Sequence, residues 1–167
     1  MENERREGPL PMDESDLTSA VCALCAKDER YRPEAYYFVL DALDFTARML
    51  DKAAKQGPER HVTGKELVEG VRVFALQEFG PMALTVLATW GMATTGDIGN
   101  IVFNLVDSGK LKKTERDQRS DFDGGYDFHA VFAGPFQRQA GPAADEAQPS
   151  APRGRRGAFG SRDADSR

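Results

Sequence analysis

Two cysteines, two histidines and a handful of aspartates are the side chains of this 167-residue chain best suited to metal, redox or acid–base chemistry. Cys22 and Cys25 stand in the run Ala20-Val21-Cys22-Ala23-Leu24-Cys25-Ala26. A CxxC supplies two thiolates for redox exchange at a helix start, or half of a tetrahedral zinc site. The other half would have to come from His61 and His129, which stand far apart without the short spacing of a zinc knuckle. Two small apolar thiols on a helix are the simpler reading, and free thiols fit a reducing compartment.

Asp121-x-Asp123-Gly124 resembles part of a calcium loop, but the further ligands and the closing glutamate are missing. Asp127 and His129, two positions apart, could share a metal or form an acid–base pair, with His61 the remaining titratable candidate. Exposed strand residues explain the Asp127–His129 pair with less. No glycine-rich phosphate loop, nucleophile elbow or metal-ligand series accompanies these residues. The chemistry therefore points away from an enzyme, and no cofactor or metal is implied.

Contact with phosphate or bases is the other chemistry open to the chain. Lys110, Lys112, Lys113, Arg116 and Arg119 form the basic concentration of the central region, interleaved with Glu115, Asp117, Asp121 and Asp123. That mixture reads as a solvated loop in preference to a phosphate grip. Asn100 and Asn104 could bond adenine edges, and Arg153, Arg155 and Arg156 form a short cluster near the end of the chain that could touch RNA, a membrane or an acidic partner.

These residues must be positioned by helices. Ser15 or Asp16 can cap a first helix carrying Leu17, Val21, Leu24 and Cys25 on one face. Pro33 suits the first turn of a second, whose stripe Tyr36, Leu40, Leu43, Ala47 and Leu50 predicts a core or helix-packing seam. Thr63-Gly64-Lys65-Glu66 is a capping box opening a third helix, with Leu67, Val71, Phe74, Ala75 and Phe79 inward until Gly80-Pro81. A fourth, about Pro81 to Trp90, is apolar almost all round and is expected to be buried on most sides.

Gly91 can close that helix in the left-handed conformation, and Thr94 with Asp97 can cap a fifth. Ile98, Ile101, Val102 and Leu105 then face inward, leaving Asp97, Asn100, Asn104, Asp107 and Ser108 outward. Helix, glycine turn, helix and glycine stop have the layout of a helix-turn-helix leading into a wing over residues 110–119. The second helix of the pair lacks lysine and arginine, so its neutral-to-acidic face suits a protein partner better than duplex DNA. Alternation of Phe122, Gly124, Tyr126, Phe128, Ala130 and Phe132 with polar residues predicts a short β segment or hairpin.

Forty per cent hydrophobic residues support one ordinary core, and the net charge is -5. The expected division is a disordered N-terminus over 1–14, a single helical, winged-helix-like domain over 15–137 and a disordered Arg/Gly/Pro/Ala tail over 138–167. No stretch approaches the roughly 18 apolar residues of a membrane span, and the opening lacks a signal-peptide pattern. A soluble cytoplasmic protein without a membrane partner is expected.

Several runs carry a resemblance. Asp28-Glu29-Arg30-Tyr31, Glu34-Ala35-Tyr36-Tyr37-Phe38-Val39, His61-Val62-Thr63-Gly64-Lys65-Glu66-Leu67, Phe79-Gly80-Pro81-Met82-Ala83, Trp90-Gly91, Ile101-Val102-Phe103-Asn104-Leu105-Val106 and Asp121-Phe122 to Tyr126-Asp127-Phe128 resemble the bacterial Minf-type family of uncharacterised proteins. The likeness covers roughly Val21 to Phe132 and departs at Asn100, where an acidic residue is expected. It implies no activity, cofactor or catalytic residue. The expectation is a mainly α protein of about five helices, acting as a non-catalytic protein-interaction module. The alternative is a nucleic-acid-binding regulator using the 110–119 wing and the arginine tail.

Overall fold

A computed structural model describes residues 14–137 of the chain. Among them are seven α-helices: α1 (Glu14–Lys27), α2 (Pro33–Met49), α3 (Gly64–Phe79), α4 (Ala83–Thr89), α5 (Thr95–Asp107), α6 (Phe128–Phe132) and α7 (Gly134–Gln137). Single 3-10 turns occupy Gly57–Arg60, Gly80–Met82 and Arg119–Phe122. The fold is mainly α, as the periodicity predicts.

Local chemistry sets the boundaries. Pro33 lies in the first turn of α2, where its missing amide has no helical partner to lose. At α3 the Thr63 hydroxyl accepts from the Glu66 amide at 3.3 Å, while the Glu66 carboxylate accepts from the Thr63 amide at 2.8 Å. The same reciprocal box opens α5, with Asp97 accepting from the Thr94 amide at 2.9 Å. Gly91, at φ +90°, makes the turn between α4 and α5; a Cβ there would fall 1.9 Å from the Arg30 carbonyl oxygen, so the position admits only glycine.

α5 is the spine of the domain. Thr95, Ile98, Gly99, Ile101, Phe103 and Leu105 are buried, and of its residues only Asp107 is fully exposed. On one side it packs against α2, on another against the Arg119–Phe122 turn. Phe122 is held between two glycines: Cβ atoms at Gly64 and Gly99 would lie 3.0 and 2.8 Å from it. Burying that ring contributes about 1.5–3 kcal/mol and pins the turn onto α3 and α5.

On α5 Asp97, Asn100 and Asn104 do not face outward, because the segment Asp28–Tyr36 bonds to them, whereas Asp107 is exposed as expected. The fourth helix is not buried on most sides: seven residues long, it buries Ala83 and Leu87, and the preceding Met82 is 56% exposed. Finally, the described residues contain no strand, only an isolated bridge between Thr94 and Asp127. The Asp127 carboxylate accepts from the Ala130 amide at 2.7 Å and so starts α6. Phe128 and Phe132, four apart, then meet edge to face at 5.1 Å, an arrangement that a helix gives and a strand does not.

The region read as a wing is a loop. Gly109, at φ +76°, closes α5, with the Lys110 and Leu111 amides both donating to the Leu105 carbonyl. Asp117 then folds the loop on itself by accepting from the Thr114 amide at 2.6 Å. The helical run Gly57–Thr89 includes a window of mean hydropathy 1.3, but it is divided at His61–Thr63 and at Gly80, and its apolar residues pack α3 onto α2. Arg153, Arg155 and Arg156, and the two predicted disordered ends other than Glu14, lie outside the described residues.

Candidate functional site: an apolar cleft with a cationic rim

The second helix carries more apolar positions than one core face can use. Ala35, Phe38, Val39, Ala42 and Thr46 are buried. Leu40, Leu43 and Ala47, spaced i, i+3 and i+7, are only half-buried, and they form one wall of an open cavity of about 950 Å³. α5 supplies a second wall through Val102, Phe103 and Val106; Val62, Leu67, Leu111 and Phe122 complete the apolar lining. The stripe expected to be a core or helix-packing seam is that in part, with Tyr36 buried and Leu40 and Leu43 packed against the core, while Leu40, Leu43 and Ala47 also wall a cleft that nothing else in the described chain fills.

Two loops frame the cleft. One is the segment 57–62, the other the loop 111–117, and His61 joins them: its Nε2 lies 2.9 Å from both carboxylate oxygens of Asp117. Lys52 fixes the first loop by donating to the His61 carbonyl at 3.0 Å and to Glu66 at 2.8 Å. Burial pushes the Asp117 carboxyl up, but the bonds from His61 and from the Thr114 amide and hydroxyl outweigh it and hold the group below the usual carboxylate range. Near neutral pH Asp117 is thus an anion facing the imidazole.

The rim's charges are unevenly matched. Asp44 is paired with Arg48 at 2.9 Å and Asp117 with His61. Arg60 and Lys112, both exposed, have no ion pair among the described residues. Lys113 places its ammonium 5.3 Å over the Phe103 ring, and Arg119 stacks on the same ring at 4.8 Å. The charged residues lining the cleft, Arg60, Lys112 and Lys113 against Asp44 and Asp117, therefore leave a small positive excess beside an apolar floor, on a chain whose overall charge is -5.

The residues singled out from the sequence are dispersed. Asn100 donates to the Tyr31 hydroxyl at 3.1 Å and accepts from Arg119 at 3.1 Å; Asn104 donates to the Tyr36 hydroxyl at 3.2 Å and to Asp28 at 3.3 Å. Tyr31 in turn donates to Asp97 at 2.7 Å, and burial, with that bond, pushes its phenol up to about 12. Both asparagines are half-buried and engaged within the fold. Lys110 is mostly buried and paired with Asp16 of α1. Lys112, Lys113, Arg116 and Arg119 are exposed on the loop and the turn that follows it.

No family model, curated protein or solved structure matches the chain.

The acid–base candidates do not assemble. Asp127 caps α6 and His129 is exposed, while His61 pairs with Asp117, a partner the spacing of the sequence does not suggest. Within the cleft lining the single hydroxyl, that of Thr114, is bonded to Asp117 at 2.9 Å. Cys22 is exposed and Cys25 half-buried; burial, with Cys22, Glu34 and Asp28 nearby, pushes the Cys25 thiol up, away from thiolate chemistry. No three of the described His, Cys, Asp and Glu side chains converge as metal ligands. What the arrangement offers is apolar burial bordered by cations.

Proposed function

We propose that this chain is a non-catalytic binding module whose working surface is the cleft between α2 and α5. In this reading the helix-turn-helix order of α4 and α5 is a scaffold, related to winged helices in layout, with its second helix used as a spine and no face left to read DNA. One observation carries the proposal: an apolar stripe at helical spacing, Leu40, Leu43 and Ala47, stands open to a cavity of about 950 Å³. Apolar surface left contiguous and half-exposed in a small domain marks a place where something docks. The resemblance to the Minf-type family stays a proposal carried by the sequence runs, and adds no activity. A nucleic-acid role would rest on Lys112, Lys113, Arg116, Arg119 and the tail arginines.

The test is affinity purification of the tagged full chain from its native cell, with and without nuclease, beside the variant Ala47→Phe, which places a ring in the cleft. A co-purifying protein that survives nuclease and is lost from the folded variant is the expected result. Association that nuclease abolishes would favour the nucleic-acid role instead, and association indifferent to Ala47→Phe would remove the cleft from the function.

A further inference from the structure

Resting on that reading, we infer that the occupant of the cleft is an acidic amphipathic helix of a partner protein. Two features of the cleft specify it. The first is the form of the walls. Leu40 to Ala47 runs along α2 for roughly 10 Å, two helical turns, and α5 presents Val102, Phe103 and Val106 beside it. Two helices with half-buried apolar side chains flanking an open slot leave the place of one more helix in a bundle. Such grooves take an apolar face with anchors at i, i+3/i+4 and i+7.

The second feature is the charge. Among the charged residues that line the cleft, Arg60 sits on one framing loop and Lys112 and Lys113 on the other, while the lining carboxylates Asp44 and Asp117 are already paired; Glu59 and Glu115, exposed on the same loops, stand outside the lining. These exposed cations do not converge on a buried point, as recognition of a single carboxylate headgroup would require. Spread along two loops, they match several carboxylates spaced along one segment. A basic helix would meet the same apolar floor and be repelled at the rim, so the rim selects the sign of the partner.

The probe is a fluorescein-labelled helical peptide of about three turns, with leucines at i, i+4 and i+7 and glutamates flanking them, titrated into the full chain by anisotropy. A matched peptide with lysine for glutamate and sodium laurate are the comparisons. The acidic peptide is expected to saturate, about tenfold or more tighter than the lysine peptide, with the difference shrinking as salt rises. Arg60→Glu with Lys112→Glu, a change at two exposed cations without an ion pair among the described residues, should reverse the preference; Ala47→Phe should abolish binding while the thermal midpoint is retained.

Equal affinity for both peptides, or affinity unmoved by either variant, overturns the inference. So does saturation by laurate without binding of the acidic peptide, which would mark the cleft as an amphiphile site, or a concentration-dependent dimer that Ala47→Phe dissociates, which would mark it as a self-interface. If Ala47→Phe removes a native partner yet the acidic peptide does not bind, the binding-module reading stands and this inference alone fails.

Discussion

Gly70 of α3 lies so close to Thr46 of α2 that a Cβ at position 70 would fall 1.7 Å from the Thr46 Oγ1. The hydroxyl cannot swing aside, because Thr46 is fully buried and donates to the Ala42 carbonyl at 2.6 Å. This contact sets the spacing of the two helices, and with it the position of the α2 wall of the cleft. Gly70→Ala is expected to destabilise the domain by about 1–3 kcal/mol in urea unfolding, the usual range for overpacking. Thr46→Ala in the same chain removes the two nearest side-chain branches and should restore part of the loss. A neutral Gly70→Ala would mean that the helices are not this close.

The bond from Tyr31 to Asp97 makes the stability depend on acid. Burial raises the Asp97 carboxyl, but bonds from Tyr31, from the Ala93 and Thr94 amides and from the Thr94 hydroxyl outweigh it and leave it lowered. Unfolded, the group titrates near 3.9. As pH falls through that value the unfolded state takes up the proton first, so the contribution is complete above about pH 5 and is lost as pH drops through the folded value. Tyr31→Phe deletes one donor to a charged acceptor and is expected to lower stability by about 1.5–3 kcal/mol near neutral pH. The gap between wild type and variant should narrow as pH falls through the lowered folded value; a gap of constant size through the acid range would show that the carboxylate is not involved.

How much of this was legible in the sequence depends on how local the cause is. The capping boxes at Thr63 and Thr94, Pro33 in the first turn of α2 and the left-handed Gly91 are settled by residues within a few positions of each other, and all stand where the sequence predicts them. The cleft was legible only as a surplus of apolar positions on α2, because periodicity says which residues share a face and not whether another element covers it. Asn100 and Asn104 look outward on a helical wheel, yet Tyr31 and Tyr36, more than sixty residues earlier, close over them. His61–Asp117 was missed for the same reason: 56 residues separate the pair. The aromatic run after Phe122 has both a period of two and an i, i+4 pair, and the Asp127 cap decided between them.

Releasing His61 from Asp117 should loosen the loop that frames the cleft. The pair is partly exposed, at 28% and 16% of the side-chain surfaces, so its contribution belongs with modest ion pairs of up to about 1 kcal/mol. His61→Ala is expected to increase the rate of limited trypsin cleavage at Lys112, Lys113 and Arg116 by up to about fivefold, with the fold otherwise intact by circular dichroism. Unchanged cleavage would mean that the loop is held by the Thr114–Asp117 turn alone.

Replacing Asn104 separates a spine from a reading helix. If α5 were presented to a nucleic acid, Asn104 would be a contact residue, and its replacement would weaken binding while leaving stability nearly untouched, as surface substitutions do. In the fold described, its amide bonds the hydroxyl of the fully buried Tyr36 and the carboxylate of Asp28. Asp28 is pulled down to about 2, chiefly by its bond to Arg30, with Asn104 assisting. Asn104→Ala strips the partner from the buried hydroxyl, for which a loss of about 1–3 kcal/mol is expected, visible as a lower midpoint in chemical unfolding. The same variant should leave any salt-dependent affinity for random oligonucleotides unchanged, whereas Lys112→Glu with Arg116→Glu should do the reverse, altering surface binding and sparing stability. An Asn104→Ala protein of native stability that had lost oligonucleotide binding would return α5 to the surface and undo the account of it as a spine.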